Sequence, residues 1–178
     1  MSGRATGAGG WVVELADVRS PGCEALLRDY YVEVSDRWYR LREGRDSTPE
    51  EIATGFPQMR SDDLAPPTGV FVVARGLDDP DVLGGCVGVR RLRDATGARV
   101  AELRRLYVRP ELRGAGLGGS LLATAEEVAR VWGVGSIRLD TRLDLEEARS
   151  LYVSHGWAEV EPFSDAFYAE VWYAKTLG

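Results

Sequence analysis

Apolar residues recur with two different spacings along this chain, and each spacing predicts a type of secondary structure. Residues 100–108 are rich in β-branched and aromatic side chains, which is typical of a strand. From Leu117 onward, apolar side chains return at helical spacing, which predicts an amphipathic helix. The apolar positions of this helix are Leu117, Leu121, Leu122, Ala125, Val128, Ala129 and Trp132. A glycine-rich loop, residues 113–119, joins the strand to the helix, and the rest of the chain is organised around this unit.

Other stretches with strand composition flank this unit. They span residues 11–18, 69–75, 82–93, 98–108 and 136–141, and the chain after residue 157 predicts a final hairpin. Two glycines at 84–85 suggest a bulge. The tight turn at 94–97 makes residues 69–108 an antiparallel meander, whereas the strand–helix–strand order that follows implies a parallel crossover. We therefore predict an α+β fold with a mixed, mainly antiparallel sheet flanked by helices.

Capping residues mark the ends of the remaining helices. A first helix is predicted to open at Pro21 and to give way to a charged loop at residue 41. Thr48 begins a capping box, with an acidic residue three positions later, before a second, short helix. Asp144 is predicted to cap a helix that runs to about residue 155, and Gly156 is predicted to end it.

The composition predicts a single globular domain. With 178 residues, 44% of them hydrophobic and 28% charged, the chain can bury a sizeable core. We predict one domain over residues 11–178, after a disordered, glycine-rich tail over residues 1–10. No apolar stretch is long enough to span a membrane, and no secretory signal is visible. Cys23 and Cys86 lie far apart, which favours a cytoplasmic location, and the residue types present predict no metal cofactor.

The charge balance bears on binding partners. Lys and Arg number 22 and Asp and Glu number 28, so the net charge is −6. Such a chain is not expected to bind nucleic acid over an extended surface. The negative charge is compatible with a cationic amine as ligand. Four acidic residues could meet such an amine or be solvated surface charges: Glu33, Asp36, Asp62 and Asp63.

The glycine-rich loop has the properties of an anion site. The first N–H groups of a helix have no partner within the helix, and the helix dipole adds partial positive charge there. Glycines let these amides approach a phosphate closely, and Arg113 adds a fixed positive charge. The structural alternative is a glycine-rich turn that only lets the helix and the strand pack tightly.

Two known kinds of phosphate site match this loop poorly. The P-loop of nucleotide hydrolases needs a lysine before its hydroxyl residue, and Gly119-Ser120 lacks it. The dinucleotide fingerprint G-x-G-x-x-G matches Gly114, Gly116 and Gly119, and Asp140 follows about 20 residues later, where a ribose ligand is expected. That fingerprint should follow its strand directly, however, and here several residues intervene. A dinucleotide-dependent enzyme therefore remains an alternative.

A third pattern, R-x-x-G-x-G/A, matches better, at Arg113, Gly116 and Gly118. Downstream, residues 151–157 read Leu-Tyr-Val-Ser-His-Gly-Trp. Together these segments resemble the coenzyme-A-binding segment and the L-Y-x-x-x-G-F/W helix end of the GNAT superfamily of acyl-CoA-dependent N-acyltransferases. The resemblance covers residues 69–157 best. It implies a GNAT-like sheet with a central strand–loop–helix site for coenzyme A.

The resemblance also implies acetyl-CoA as co-substrate and assigns its binding residues. Its pyrophosphate would lie on the loop, and its pantetheine arm would pair with the backbone of the preceding strand. The residues so assigned are Leu106, Tyr107, Val108, Arg113, Gly114, Ala115, Gly116, Leu117, Gly118 and Gly119. A backbone N–H near Val108 would polarise the thioester carbonyl. Acceptor specificity would lie between residues 30 and 68.

Acyl transfer to an amine needs a group that takes the amine proton and benefits from one that protonates the thiolate. Glu102 is the candidate for the first role, with Asp140 as a weaker candidate; a surface carboxylate paired with Arg104 is the alternative for Glu102. Tyr152 matches the family tyrosine that protonates the thiolate, and a buried structural tyrosine is its alternative. Neither cysteine lies in a catalytic motif, which favours direct attack within a ternary complex.

One position departs from the family pattern. Many members have an asparagine seven residues before the helix-end tyrosine, where this chain has Leu145, so one contact to the pantetheine arm is weakened. We predict an N-acetyltransferase that acts on a primary amine of a small molecule or peptide. A non-catalytic acyl-CoA-binding domain of the same fold is the alternative. The C-terminal strands are candidates for a homodimer interface.

Overall fold

The computed structural model describes residues 5–6 and 9–178 of the chain. Within them, eight strands form one sheet in the order β1-β2-β3-β4-β5-β6-β8-β7. The strands are β1 (Ala5–Thr6), β2 (Trp11–Ala16), β3 (Gly69–Gly76), β4 (Leu83–Arg93), β5 (Arg99–Val108), β6 (Ser136–Thr141), β7 (Ala158–Val160) and β8 (Val171–Thr176). The helices are α1 (Pro21–Glu43), α2 (Pro49–Gly55), α3 (Leu117–Val131) and α4 (Glu146–Ser154). In this described part, only β5 and β6 pair in parallel, so the predicted α+β fold is confirmed.

Helices cover both faces of the sheet. Alternate residues of β3 point to opposite faces, so Val72 packs with the α3 residue Leu121, whereas Val73 packs with the α1 residue Leu26. All four are fully buried. The apolar stripe predicted for α3 is therefore the surface that this helix turns to the sheet, and the sheet lies between two apolar layers.

Two bulges interrupt the meander. In the first, Ala74 pairs with Gly85 and Arg75 with Leu83, so Gly84 is the extra residue, and the bulge predicted there is confirmed. In the second, two residues of β5 between Arg104 and Tyr107 face one residue of β4. Its first residue, Arg105, has a φ of 57°, in the left-handed region that a side chain rarely adopts. The sequence gives no glycine signal for this second bulge.

The helix ends are partly as predicted. The capping box at Thr48 is present, and Gly156 follows α4 with a left-handed φ of 79°. The predicted cap by Asp144 is wrong, because α4 begins one residue after Leu145 and has no side-chain cap. The Asp144 carboxylate instead accepts two hydrogen bonds from Arg142, at 2.8 and 2.7 Å. A charge-assisted pair of bonds is stronger than a single cap to a backbone amide.

The remaining differences lie at the ends of elements and of the chain. Helix α1 continues to Glu43, so the first residues of the predicted charged loop are helical, and Gly44 ends the helix with a φ of 67°. The final hairpin is confirmed as β7 and β8. In the predicted tail, β1 pairs with β2, whereas residues 1–4 and 7–8 lie outside the described residues. None of the helices in the described residues is both long enough and apolar enough to cross a membrane.

Candidate active site

The centre of the sheet is open. Strands β5 and β6 pair at two positions, Ala101 with Ile137 and Glu102 with Arg138, and in the described residues they pair nowhere beyond these. Residues 103–108 of β5 therefore have no strand beside them on this side. Backbone N–H and C=O groups need hydrogen-bond partners when they are removed from water. This stretch of β5 is consequently an edge to which an extended ligand can add.

The glycine-rich loop closes one end of this opening. Gly114 and Gly116 have left-handed φ values of 82° and 84°, and Gly116 is the N-cap of α3 without a side-chain cap. The first amides of α3 thus have no capping side chain in competition with a ligand. Gly118 and Gly119 serve a different purpose, because added Cβ atoms would lie 3.2 Å from Leu151 Cδ2 and 3.0 Å from His155 Nε2. The tight-packing interpretation therefore applies to Gly118 and Gly119, whereas the anion site at the start of α3 stays a prediction.

Arg113 lies across the free edge of β5. Its Nε donates to the Val108 carbonyl at 2.9 Å, and its Nη2 donates to Glu33 of α1 at 2.6 Å. Glu33 also pairs with Arg37 at 3.2 Å, and Arg37 donates to Glu147 of α4. An anion that binds at α3 must therefore compete with Glu33 for the Arg113 guanidinium. The network ties the loop to both neighbouring helices.

A large cavity lies on the α1 side of the opening. Its volume is about 1030 Å³, and residues of α1, α2, β5, β6 and the β7–β8 connection line it. Aromatic side chains form much of this lining: Tyr30, Tyr31, Trp38, Tyr39 and Tyr168. Three further lining residues are Glu102, Asp140 and Leu145. Much of the predicted specificity region, residues 30–68, therefore does contribute to this cavity.

Glu102 is a buried member of this lining, with 7% of its surface exposed. Its Oε1 accepts hydrogen bonds from Arg90 Nη2 at 2.7 Å and Nε at 3.1 Å. The pairing considered from the sequence, with Arg104, is a distant contact of 4.0 Å to the same oxygen. Burial alone would lower the pKa of Arg90, but the charge of Glu102 and the hydrogen bonds of Asp63 and Glu102 raise it. Glu102 is thus a cavity carboxylate held by one arginine through one oxygen.

Asp140 shares this face of the sheet. Glu102 is in register with Arg138, and Asp140 lies two residues further along β6, so the pleat turns both carboxylates to the same side. Ser164 donates to Asp140 at 3.2 Å and accepts from Trp172 Nε1 at 2.9 Å. Among the residues that the structure describes, no ion pair reaches Asp140. Glu102 and Asp140 are therefore two cavity carboxylates with different surroundings.

The features of this opening agree with a match to a known protein family. Residues 23–157 match the Acetyltransferase (GNAT) family. The chain belongs to this family. The recognition made from the two sequence patterns is confirmed, and the dinucleotide alternative is wrong, because a dinucleotide fold needs a mostly parallel sheet whereas the described residues hold one parallel pair.

Known relatives and a solved structure agree with this assignment. An uncharacterised N-acetyltransferase of Schizosaccharomyces pombe is 39% identical over 98 residues, which are 55% of this chain and 57% of that protein. The chain thus spans little more than half of this relative. The aminoglycoside N(6′)-acetyltransferase type 1 of Serratia marcescens is 29% identical over 147 residues, 80% of this chain and 93% of that protein. The PaiA N-acetyltransferase of Thermoplasma acidophilum in complex with coenzyme A shares the fold, with a TM-score of 0.62, 19% identity and coverage of 92% and 98%.

Tyr152, the tyrosine of the GNAT helix-end pattern, is buried, with 4% of its surface exposed. Its ring packs against Trp157 and Tyr173, each at 5.8 Å between ring centroids. Burial raises the pKa of Tyr152 well above that of a free tyrosine, and Tyr30 and Tyr173 add to the shift. The side chain is therefore protonated at neutral pH. Tyr152 belongs to the buried core and is not among the residues that line the two cavities, so its role as a proton donor stays a prediction.

The four acidic residues considered for a cationic amine are engaged with protein groups. Glu33 pairs with Arg113 at 2.6 Å, and Asp36 accepts from the Ser47 backbone at 3.0 Å. Asp62 lies 3.7 Å from Arg60, and Asp63 pairs with Arg90. Asp62 and Asp63 line a smaller cavity, where they lie among arginines.

Arg90 was not predicted from the sequence, although a signal for it was present. The predicted turn at 94–97 fixes the register of the β4–β5 hairpin, and that register places Arg90 opposite Glu102. Cross-strand neighbours are close enough to form ion pairs. Arg105 was also not predicted as a cavity residue, and no local signal marks the bulge that turns this side chain inward.

Proposed function

We propose that this chain transfers the acetyl group of acetyl-CoA directly to a primary amine of a small molecule or a peptide, within a ternary complex. The opening between β5 and β6 carries this proposal. It places an unpaired strand edge and a helix N-terminus at one end and two cavity carboxylates at the other. A donor and an acceptor can meet there without leaving the protein, and such positioning lowers the barrier of a two-substrate reaction.

The residues on the donor side fit coenzyme A. The amides of the pantetheine arm would bond to the unpaired backbone of residues 106–108, and the first amides of α3 would hold the pyrophosphate. Arg113 lies within reach of both parts, since it already contacts Val108 and the loop carries it. The donor supplies an acyl group activated as a thioester. This backbone-based site tolerates Leu145 in place of the family asparagine, because most of its hydrogen-bond donors are main-chain groups.

Two carboxylates can accept the proton of the amine, and we assign the role to Glu102. All its contacts with arginines use Oε1, which leaves Oε2 to take the proton directly or through water. Asp140 is the second candidate, because it lacks an ion pair within the described residues. As the nitrogen bonds to the acyl carbon and the carbon–sulfur bond breaks, Tyr152 would donate its proton to the sulfur.

The cysteines support direct attack by the amine. Cys23 and Cys86 are both fully buried. Burial raises the pKa of the Cys23 thiol and, more strongly, that of the Cys86 thiol, so neither forms the thiolate that a covalent route would need. A route through an acetylated cysteine is therefore disfavoured, and the two substrates are expected to bind together.

Initial-rate kinetics test this proposal. Acetyl-CoA is varied against a panel of amines that includes aminoglycosides, amino acids and short peptides. A ternary complex gives intersecting double-reciprocal lines, whereas a covalent intermediate gives parallel lines. The variants Glu102→Gln and Asp140→Asn form a matched pair of isosteric amides. We expect Glu102→Gln to lower kcat about 100-fold or more, and Asp140→Asn to have a smaller effect.

Three outcomes would change the proposal. A larger loss for Asp140→Asn would transfer the role of base to Asp140. Parallel lines would contradict the ternary complex. Stabilisation of the protein by coenzyme A without turnover of any amine would favour the non-catalytic acyl-CoA-binding domain instead.

A further inference from the structure

A second, smaller cavity adjoins the acceptor cavity. Its volume is about 580 Å³, and it shares Arg90, Arg104, Arg105 and Gln58 with its larger neighbour. Its other lining residues come from the segment after α2 and are Arg60, Asp62 and Asp63. An acceptor bound in the large cavity can therefore extend a polar group into this one.

The β5 bulge creates this arginine-lined wall. In a regular strand, consecutive side chains point to opposite faces of the sheet, so only one of Arg104 and Arg105 would reach the cavity. The bulge shifts the alternation by one residue, and both arginines line the same two cavities. The left-handed φ of Arg105 is the local strain that goes with this placement.

The three arginines differ in their partners. Arg90 is bonded to Glu102 and to Asp63. Within the described residues, the ion pairs of Arg104 are distant, 3.6 Å to Asp63 and 4.0 Å to Glu102, which is too long for hydrogen bonds. Arg105 Nη2 is 3.5 Å from the Arg60 carbonyl, at the limit of a hydrogen bond, and its Nε is buried without a partner. Two of the three guanidinium groups thus keep hydrogen-bond donors that no group in residues 5–6 and 9–178 satisfies.

The electrostatic surroundings of Arg104 also favour the binding of an anion. The pKa of Arg104 is lowered by burial and by the charges of Arg105 and Arg90, which together outweigh the attraction of Glu102 and Asp63. Four arginines, Arg60, Arg90, Arg104 and Arg105, lie here against the three carboxylates of Asp62, Asp63 and Glu102, so positive charge is in excess and an additional anion would be stabilised. A second cation would be repelled by the same groups.

We propose that Arg104 and Arg105 bind an oxyanion of the acceptor, so that the preferred acceptors are amines that also carry a carboxylate or a phosphate. The planar guanidinium matches both oxyanions through paired hydrogen bonds. The anion would bind between the β5 bulge and the segment after α2. The aromatic side chains that line the large cavity would contact the rest of the acceptor. This inference rests on the proposed function, whose substrate class it names.

Matched amines test the anion subsite. Each pair differs in one group: tyrosine against tyramine for a carboxylate, and phosphoethanolamine against ethanolamine for a phosphate. We expect the anionic member of at least one pair to have the higher kcat/KM, and the pair that shows the preference identifies the anion. In Arg104→Ala and Arg105→Ala we expect this preference to fall by about 10-fold to 100-fold, the size of a lost hydrogen bond to a charged group.

Two controls separate a subsite from general damage. Arg99→Ala removes an exposed arginine of the same strand that lines neither cavity, and the preference should not change. In both cavity variants, the rate with tyramine or ethanolamine, which lack the oxyanion, should change little, and this would show that the fold and the donor site are intact. A wild-type preference for tyramine and ethanolamine, or an equal loss for both members of a pair, would overturn the inference.

A binding experiment keeps this inference apart from the proposed function. Calorimetry measures tyrosine, tyramine, phosphoethanolamine and ethanolamine binding to the protein saturated with coenzyme A, without any turnover. Tighter binding of an anionic member, lost in Arg105→Ala, would support the subsite even if no amine is acetylated. Absence of turnover would then count against the proposed function, and absence of the binding preference would count against the subsite.

Discussion

The two sides of the opening between β5 and β6 are built in different ways. The proposed donor side consists of backbone: an unpaired strand edge, a glycine-rich loop and the start of α3. The acceptor side consists of side chains from several elements, among them Tyr30 of α1, Glu102 of β5 and Asp140 of β6. A backbone site is determined by a short stretch of sequence. A side-chain site depends on which distant residues the fold brings together.

The largest effect should come from a bulky residue in the donor loop. In Gly116→Trp, a side chain is added at a left-handed position beside the α3 amides, and we expect coenzyme A to lose its ability to raise the melting temperature. Gly97→Trp is the matched control, since Gly97 has the same φ of 84° but lies in the β4–β5 turn with open space around it.

Both variants should lose a similar free energy of unfolding from the strained φ, about 1 kcal/mol. Only Gly116→Trp should lose the coenzyme A response, as measured by thermal unfolding with and without the ligand. An equal response to coenzyme A in the two variants would mean that the donor does not use this loop.

A smaller effect is expected from the proton donor. Tyr152→Phe should lower kcat by about 100-fold, because the leaving sulfur loses its acid, while the unfolding free energy changes little. Tyr173→Phe is the control, because Tyr173 is equally buried and contacts the same ring, and its hydroxyl lies 3.4 Å from Arg149 Nε.

The pH dependence gives a second test of Tyr152. Burial raises its pKa, so the folded enzyme keeps this proton at pH values where a free tyrosine, with a pKa of about 10, ionises. We expect no loss of kcat from Tyr152 as the pH rises toward 10. A basic limb near pH 8 that Tyr152→Phe removes would contradict the burial argument, and equal losses in both tyrosine variants would indicate a packing role only.

The smallest effect should come from the acceptor side, at the start of α2. Thr48→Ala removes the cap that holds this helix against the cavity, at a cost of about 1 kcal/mol of unfolding free energy. We expect a higher KM for the amine and an unchanged KM for acetyl-CoA, because α2 lines only the acceptor cavity. A change in the acetyl-CoA constant alone would contradict the division into two sides.

Acid titration checks the other half of this cap. Hydrogen bonds from Arg45, and then from the Thr48 N–H, lower the pKa of Glu51 from 4.5 to about 2. The depressed pKa means that the stabilisation is complete above pH 4.5 and is lost as the pH falls toward 2. Urea unfolding across this window should show the loss in the wild type and not in Glu51→Gln. Glu50→Gln, on the same helix, should keep the wild-type profile.

Features that depend on neighbours in the sequence were predicted well. The capping box at Thr48, the bulge at Gly84 and the apolar stripe that begins at Leu117 each follow from residues within one or two turns of chain. The cap at Asp144 failed, because Arg142 offered that carboxylate a stronger, charge-assisted partner than the helix amides. Propensity alone cannot rank two partners that are both local.

The side-chain contacts on the acceptor side could not be predicted from local sequence. The sequence by itself determined the α+β fold, because strand and helix composition act locally, and it indicated the GNAT family through two patterns that resemble it; the loop at residues 113–119 follows as the proposed donor site. Only the tertiary structure decided that Glu102 pairs with Arg90 and that Arg104 and Arg105 face the same cavity. The pairing depends on the register of two strands. The shared face depends on a bulge that shifts side-chain alternation by one residue. Apart from the hairpin turn, no local sequence pattern indicates either the strand register or the bulge.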